Sequence, residues 1–159
     1  MVGFKITNLL TNAITFLYAF LFCGLVGGFS FLELFAGSWG SDNEFITESF
    51  ILLLSSGFVV VHGFFFFILG IIAFAAWRNK PKPYLICNLI CSIIGIVGMG
   101  LMCLLYSVYY TGSIDQTLLE EFPLRSEVLF LGYIALCGLG LVLTLLSHFT
   151  RPQTVTDNG

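Results

Sequence analysis

Apolar residues run through this chain in four long blocks, and polar residues are gathered into the short intervals between them. The blocks cover about 8–36, 50–77, 84–110 and 128–149. Each is long enough to supply the roughly 20 helical residues that cross a bilayer's hydrocarbon core. None alternates polar and apolar positions as a barrel strand does, and all are rich in glycine, so the blocks are predicted to be helices. The intervals "GSWGSDNEFITES", "RNKPKP" and "TGSIDQTLLEEFPLRSE" leave no room for a soluble domain, and 152–159 is too short to fold alone. The predicted fold is therefore all-α, an integral membrane four-helix bundle formed as one domain over 1–151, with 152–159 a short cytoplasmic tail.

Composition supports the same solvent. With 58% hydrophobic and 9% charged residues, the chain lacks the polar shell that a soluble globule needs. The first block, preceded by Lys5, reads as a retained anchor: it exceeds the length of a secretory signal and no clear small-x-small cleavage site follows it.

Charge placement sets the orientation. Lys and Arg are retained on the cytoplasmic side of short loops. Arg78, Lys80 and Lys82 crowd into "WRNKPKPY", while Asp42, Glu44, Glu48, Asp115, Glu120, Glu121 and Glu127 occupy the other two intervals against a lone Arg125. Lys5 and Arg151 flank the first and last blocks. Both termini and the central loop are expected in the cytoplasm, with the acidic loops on the opposite face. Pro81 and Pro83 are expected to stop a helix from running through that loop, and Trp77 and Tyr84 to anchor its two ends at the interface. A contact of the basic loop with anionic headgroups is an addition to this topological role.

Small residues mark where helix backbones approach in lipid. Candidate packing positions are Gly24 and Gly28 on the first span; Ser56, Gly63 and Gly70 at heptad spacing on the second; Cys87, Cys91 and Gly95 every four residues on the third; and Gly132, Ala135 and Gly138 every three on the fourth. The Phe64 to Phe67 run would then face lipid or partners. Polar residues gather toward the cytoplasmic half: Asn8, Asn12 and Thr15, then Asn88 and Ser92, then Thr144, Ser147 and His148. They are expected to form an interhelical hydrogen-bond cluster; a polar vestibule for a solute is the rival reading.

Ionisable residues within spans raise the question of function. Glu33 lies near the outer boundary, within reach of headgroups, and His62 near mid-span, where a neutral imidazole donating to a neighbouring backbone is the plain reading. All five cysteines fall inside the spans, and Cys87, near the cytoplasmic interface, is the candidate for palmitoylation. Tyr106, Tyr109 and Tyr110 read as half an aromatic girdle at the outer interface. No nucleophile–base pair or ligand spacing emerges, so no catalytic, cofactor or metal residues are assigned. Nucleic acid and a small-molecule substrate are not expected partners; the bilayer and other membrane proteins, or a second copy, are.

The segment "AAWRNKPKPYLICNLICSIIG" and the short Trp-bearing loop "GSWGSD" resemble the MARVEL type, short four-span proteins with cytoplasmic termini and a tight basic turn. The resemblance extends over the whole chain in layout. It implies membrane organisation through vesicle trafficking, lipid domains or junction assembly, at the plasma membrane or on endomembrane vesicles, and carries no catalytic residues with it. The expectation is a non-enzymatic organiser of membrane domains or partner proteins. The alternative is a small transporter, or a channel or transporter subunit, that uses the inner polar cluster and His62.

Overall fold

A computed structural model describes residues 2–36, 43–76 and 81–149. These form α1 (Val2–Phe22), a π-helical turn (Cys23–Gly27), α2 (Gly28–Ala36), α3 (Asn43–Ala76), α4 (Pro81–Val108), α5 (Ser113–Glu121) and α6 (Ser126–Phe149), with no strand among the described residues. Four stretches, Ile6–Phe35, Ile46–Ala75, Pro83–Val108 and Ser126–Ser147, are long and apolar enough to cross a membrane. Trp77, Arg78 and Lys80 lie outside the described residues, as do the side chains of Lys82 and His148.

Helix α1 packs against α3 and α6, and α4 packs against the same two, so the four long helices form a square with α1–α4 and α3–α6 on the diagonals. The basal end holds the start of α1 and the finish of α6; the cap end holds α5. Each helix turns one stripe inward at spacings of three and four, as the 3.6-residue repeat requires. On α1 the stripe is Asn8, Asn12, Thr15, Ala19 and Phe22, and on α6 it is Leu129, Tyr133, Cys137, Gly140 and Thr144. The outward faces remain apolar: Leu17, Phe35, Leu104 and Leu131 are all more than half exposed.

Helix limits depart from the sequence expectation at all three connections. Pro81 and Pro83 open α4 instead of preceding it. The first backbone N–H groups of a helix have no partner within it, so a proline there sacrifices no bond and its fixed φ suits the start. Helix α3 begins at Asn43, seven residues before position 50, which draws Glu48 and Ser49 into the bundle, where both are buried. The second acidic interval contains α5, whose Ile114 and Leu118, one turn apart, are fully buried against the cap end. Gly112 takes φ 81° just before α5, a left-handed conformation that glycine adopts without steric cost.

Several small residues pack differently from the expected pattern. Gly63 and Gly70 do face α1: a methyl group on Gly63 would lie 2.9 Å from the Ala19 Cβ, and one on Gly70 would lie 2.6 Å from the Asn12 amide nitrogen. Ser56 meets the first span at Gly27, inside the π turn, and not at Gly24 or Gly28, which have open space where a side chain would begin. On α6, Gly132 sits under the Tyr18 ring, but Ala135 is exposed and Gly138 is open. Spacing by three loses about 60° of helix rotation per step, so such a series leaves the interface that Cys137 and Gly140 keep. Gly95 is buried against His62 and Cys137. Of the four phenylalanines at 64–67, Phe64 and Phe65 face outward, Phe66 is fully buried and Phe67 is half-buried.

Candidate functional site

The polar residues form three layers along the bundle axis. In the basal layer, Asn12 donates from Nδ2 to the Phe66 carbonyl at 2.9 Å and to Asn88 Oδ1 at 3.0 Å. Asn88 passes the chain on from its own Nδ2 to Thr144 Oγ1 at 2.7 Å, and Thr144 donates to the Gly140 carbonyl. Each donor has one sensible acceptor, so the amide orientations follow from the network: reversing Asn12 would set its oxygen against two acceptors. Four helices are tied at one depth, including the α1–α4 diagonal. Ser92, Ser147 and Thr15 instead return their hydroxyls to their own helices four residues back. The oxygens of Asn8 and Asn12 accept from no described residue. Cys87, near the start of α4, is exposed, and Tyr84 is half-buried.

The middle layer is built on His62. Its imidazole lies between the Phe58 and Phe66 rings, one turn to either side, with centroids 5.7 and 5.8 Å away. Nε2 is 2.8 Å from the Cys91 carbonyl, and Nδ1 is 2.6 Å from the Tyr133 hydroxyl. A carbonyl oxygen only accepts, so Nε2 carries the proton and Nδ1 accepts from Tyr133. This bridges the α3–α6 diagonal. The Cys91 thiol sulfur also lies 3.5 Å from Nε2, a cysteine–histidine contact that spacing along the sequence does not reveal. That nitrogen is already protonated, so it cannot accept the thiol proton in the way a general base must. The pair is arranged for structure and not for nucleophilic attack.

The cap layer holds two fully buried carboxylates. Glu48 Oε2 accepts from both the backbone N–H (3.0 Å) and the hydroxyl of Thr111, which pins the turn after α4 to α3. Its Oε1 accepts from no described residue. Asp115 Oδ1 accepts from the backbone N–H and hydroxyl of Ser126, at 2.9 and 2.7 Å, and Oδ2 accepts from Tyr106 at 3.2 Å. Asp115 thereby caps the start of α6, where a negative charge faces the positive end of the helix dipole. Tyr106 is fully buried, which removes it from the expected aromatic girdle; Tyr109 and Tyr110 stay exposed. Partial desolvation and the nearby Asp115 carboxylate raise the Tyr110 phenol above its ordinary pKa. Glu33 is half-buried, with the Thr117 hydroxyl of α5 at 3.5 Å, so it faces the cap and not only the headgroups.

Glu48, Asp115, Tyr106 and Tyr133 thus do work that the sequence does not announce. Tyr133 alone gave a signal, since a tyrosine amid apolar residues needs a partner for its hydroxyl. Glu48 and Asp115 looked like loop acids because nothing nearby in sequence shows that the loop folds back.

Between α3 and α4 a groove of about 760 Å³ opens outward, lined by Leu54, Gly57, Phe58, Val61 and Phe65 on one side and Ile94 and Met102 on the other, with His62 and Cys91 toward its basal end. Phe58 lies across Gly98, where any side chain would collide with its ring. No group of three or more His, Cys, Asp or Glu side chains among the described residues is placed to hold a metal ion. Comparison with protein-family models, curated proteins and solved structures finds no match to the chain.

Proposed function

We propose that this protein is a non-enzymatic, multi-pass membrane organiser, which arranges lipid or partner proteins through its apolar outer faces. The observation that carries this reading is the use to which the interior polar groups are put. Asn12 and Asn88 through their N–H groups, Thr144 as acceptor, and His62, Tyr133 and Asp115 all join helices to one another. Between the middle and cap layers, Phe22, Val26, Leu52 and Met99 are fully buried, so the cap carboxylates are separated from the other polar groups by packed apolar side chains. The capacity left over, on the oxygens of Asn8, Asn12 and Glu48, is divided between the two ends of the bundle, whereas a solute carrier needs such groups along a continuous path. The outward surface, by contrast, presents leucine on all four long helices, joined by isoleucine on α1, α3 and α4 and by phenylalanine on α1 and α3.

The MARVEL type fits this role in layout, with both termini and the "WRNKPKPY" loop in the cytoplasm by the distribution of Lys and Arg. Under that orientation α5 and the buried carboxylates lie on the outer or lumenal side. The bilayer is the first partner, and other membrane proteins or a second copy are the next. The plasma membrane and endomembrane vesicles are the proposed locations.

Reconstitution in sealed vesicles tests the reading. Solute and proton flux should equal that of protein-free vesicles, and His62→Ala should change nothing in it. Flux that depends on His62 or on Asn12 would replace this reading with the transporter one.

A further inference from the structure

We propose that Glu48 is a proton-binding site, where a neutral carboxylic acid holds the cap end of the bundle closed. The inference goes beyond the membrane reading above, and only the side from which the proton arrives depends on that reading.

Charge balance raises the question. Glu48 and Asp115 are both buried, and they belong to one layer, since each bears electrostatically on the buried Tyr106 phenol of α4. Arg125 is the sole lysine or arginine in the two polar intervals that meet at this end, and it is exposed. The partners of the two carboxylates are hydroxyls and backbone N–H groups. The other elements packed on the start of α3 bring no positive charge. Helix α2 carries Glu33, and the one titratable group of the π turn is the Cys23 thiol. Desolvation and mutual repulsion both oppose two like charges in one buried layer, so one of the pair takes up a proton.

The bonding pattern says which. Asp115 accepts on both oxygens, from the Ser126 N–H and hydroxyl at Oδ1 and from Tyr106 at Oδ2. It also faces the positive end of α6, so the negative charge is stabilised there. Glu48 is asymmetric: Oε2 accepts from the Thr111 N–H and hydroxyl, while Oε1 accepts from no described residue. A neutral acid matches that asymmetry. Its carbonyl oxygen has two lone pairs and keeps both Thr111 bonds, and its other oxygen carries the proton.

The same count excludes a metal ion. Calcium or magnesium gathers about six oxygens or more, and no group of three or more His, Cys, Asp or Glu side chains among the described residues is placed to supply them. One free oxygen serves a proton.

Binding has a structural consequence. Glu48 joins α3 to the turn that leads into α5. Loss of its proton puts a second negative charge into the layer that Asp115 already occupies. The proton is bound by the closed cap, so the closed form is favoured at lower pH and weakens as pH rises and the proton leaves. With the cap on the outer or lumenal side, acid on that side tightens it.

Infrared spectroscopy of the full chain in bicelles tests this, with the glutamate carboxyl groups 13C-labelled to separate them from aspartate. Exposed glutamates are ionised at neutral pH, so the C=O stretch of a protonated acid reports a buried one. One such band should be present at neutral pH, shift with the glutamate label and vanish in Glu48→Gln. Glutamine gives Thr111 the same carbonyl acceptor without a charge, so the variant should fold with its cap protected. In the unmodified chain, amide exchange over Thr111–Glu121 should rise more steeply with pH than exchange over Leu9–Ala19. In Glu48→Gln the two segments should rise alike. The proposal is overturned by a folded chain without the protonated-glutamate band, or by a band that survives Glu48→Gln. A Glu48→Gln cap weaker than the original at neutral pH also overturns it, because the charge would then be needed. So does an absent band with cap protection that climbs on adding sodium, which assigns the positive charge to a metal ion. None of these outcomes bears on flux, so the organiser reading stands or falls separately.

Discussion

Replacing Asn88 with leucine tests the basal layer at its centre. Leucine has similar bulk but neither accepts nor donates, so the substitution removes the Asn12–Asn88 and Asn88–Thr144 bonds together. Interhelical bonds in membrane proteins contribute about 0.6 kcal/mol on average and up to about 1.7; two of them give a loss of about 1–3 kcal/mol. The loss should lie in the upper part of that range because Asn12 keeps only its bond to the Phe66 carbonyl, and its second N–H is stranded in a fully buried site. Thr144→Val breaks the Asn88–Thr144 bond and the bond from the Thr144 hydroxyl to the Gly140 carbonyl, and should cost about 1–2 kcal/mol. Combining the two should cost less than the sum of the single changes, because the Asn88–Thr144 bond is common to both. Reversible unfolding in bicelles, followed by steric trapping, measures all three. If Asn88→Leu leaves stability unchanged while the helices remain assembled, or if the two substitutions add fully, the four-helix network does not exist as described.

Further outcomes are expected. Gly95→Ala places a methyl 2.6 Å from the His62 ring and 2.7 Å from the Cys137 sulfur and should destabilise by about 1–3 kcal/mol through overpacking. Gly138→Ala, in open space, should be neutral or stabilise by up to about 1 kcal/mol; thermal unfolding of the pair in one detergent checks the contrast. Tyr133→Phe strands His62 Nδ1 and should cost about 1–3 kcal/mol, with the imidazole 15N shifts reporting the lost bond. Asp115→Asn should weaken the cap of α6, so that hydrogen exchange rises in α5 and the first turn of α6 but not near Asn12; uniform exchange would refute a local role. Replacing Arg78, Lys80 and Lys82 by Gln should yield molecules of both orientations in a glycosylation-tag assay, and a single retained orientation would move the topological signal elsewhere in the chain.

The four long helices, the apolar perimeter and the depth of the asparagine cluster were all legible in the sequence, because each depends on composition over a window of about 20 residues and hydrocarbon imposes a helix on such a window. Which small residue meets which helix was not. Gly27 and Gly140 replace Gly28 and Gly138 at contacts because a π turn and a 3.6-residue repeat shift the inward stripe by one or two positions. The carboxylates of Glu48 and Asp115 belong to the same class. In sequence they sit in polar intervals, and only the folding of Thr111 and α5 onto the cap end turns them into buried structural acceptors. His62 shows both sides. Its place near mid-span made a neutral, hydrogen-bonded imidazole the natural expectation, but its partners lie 29 and 71 residues away. Chain chemistry favours a partner for every buried polar atom; tertiary packing decides which atoms find one, and leaves the Asn12 and Glu48 oxygens without one among the described residues.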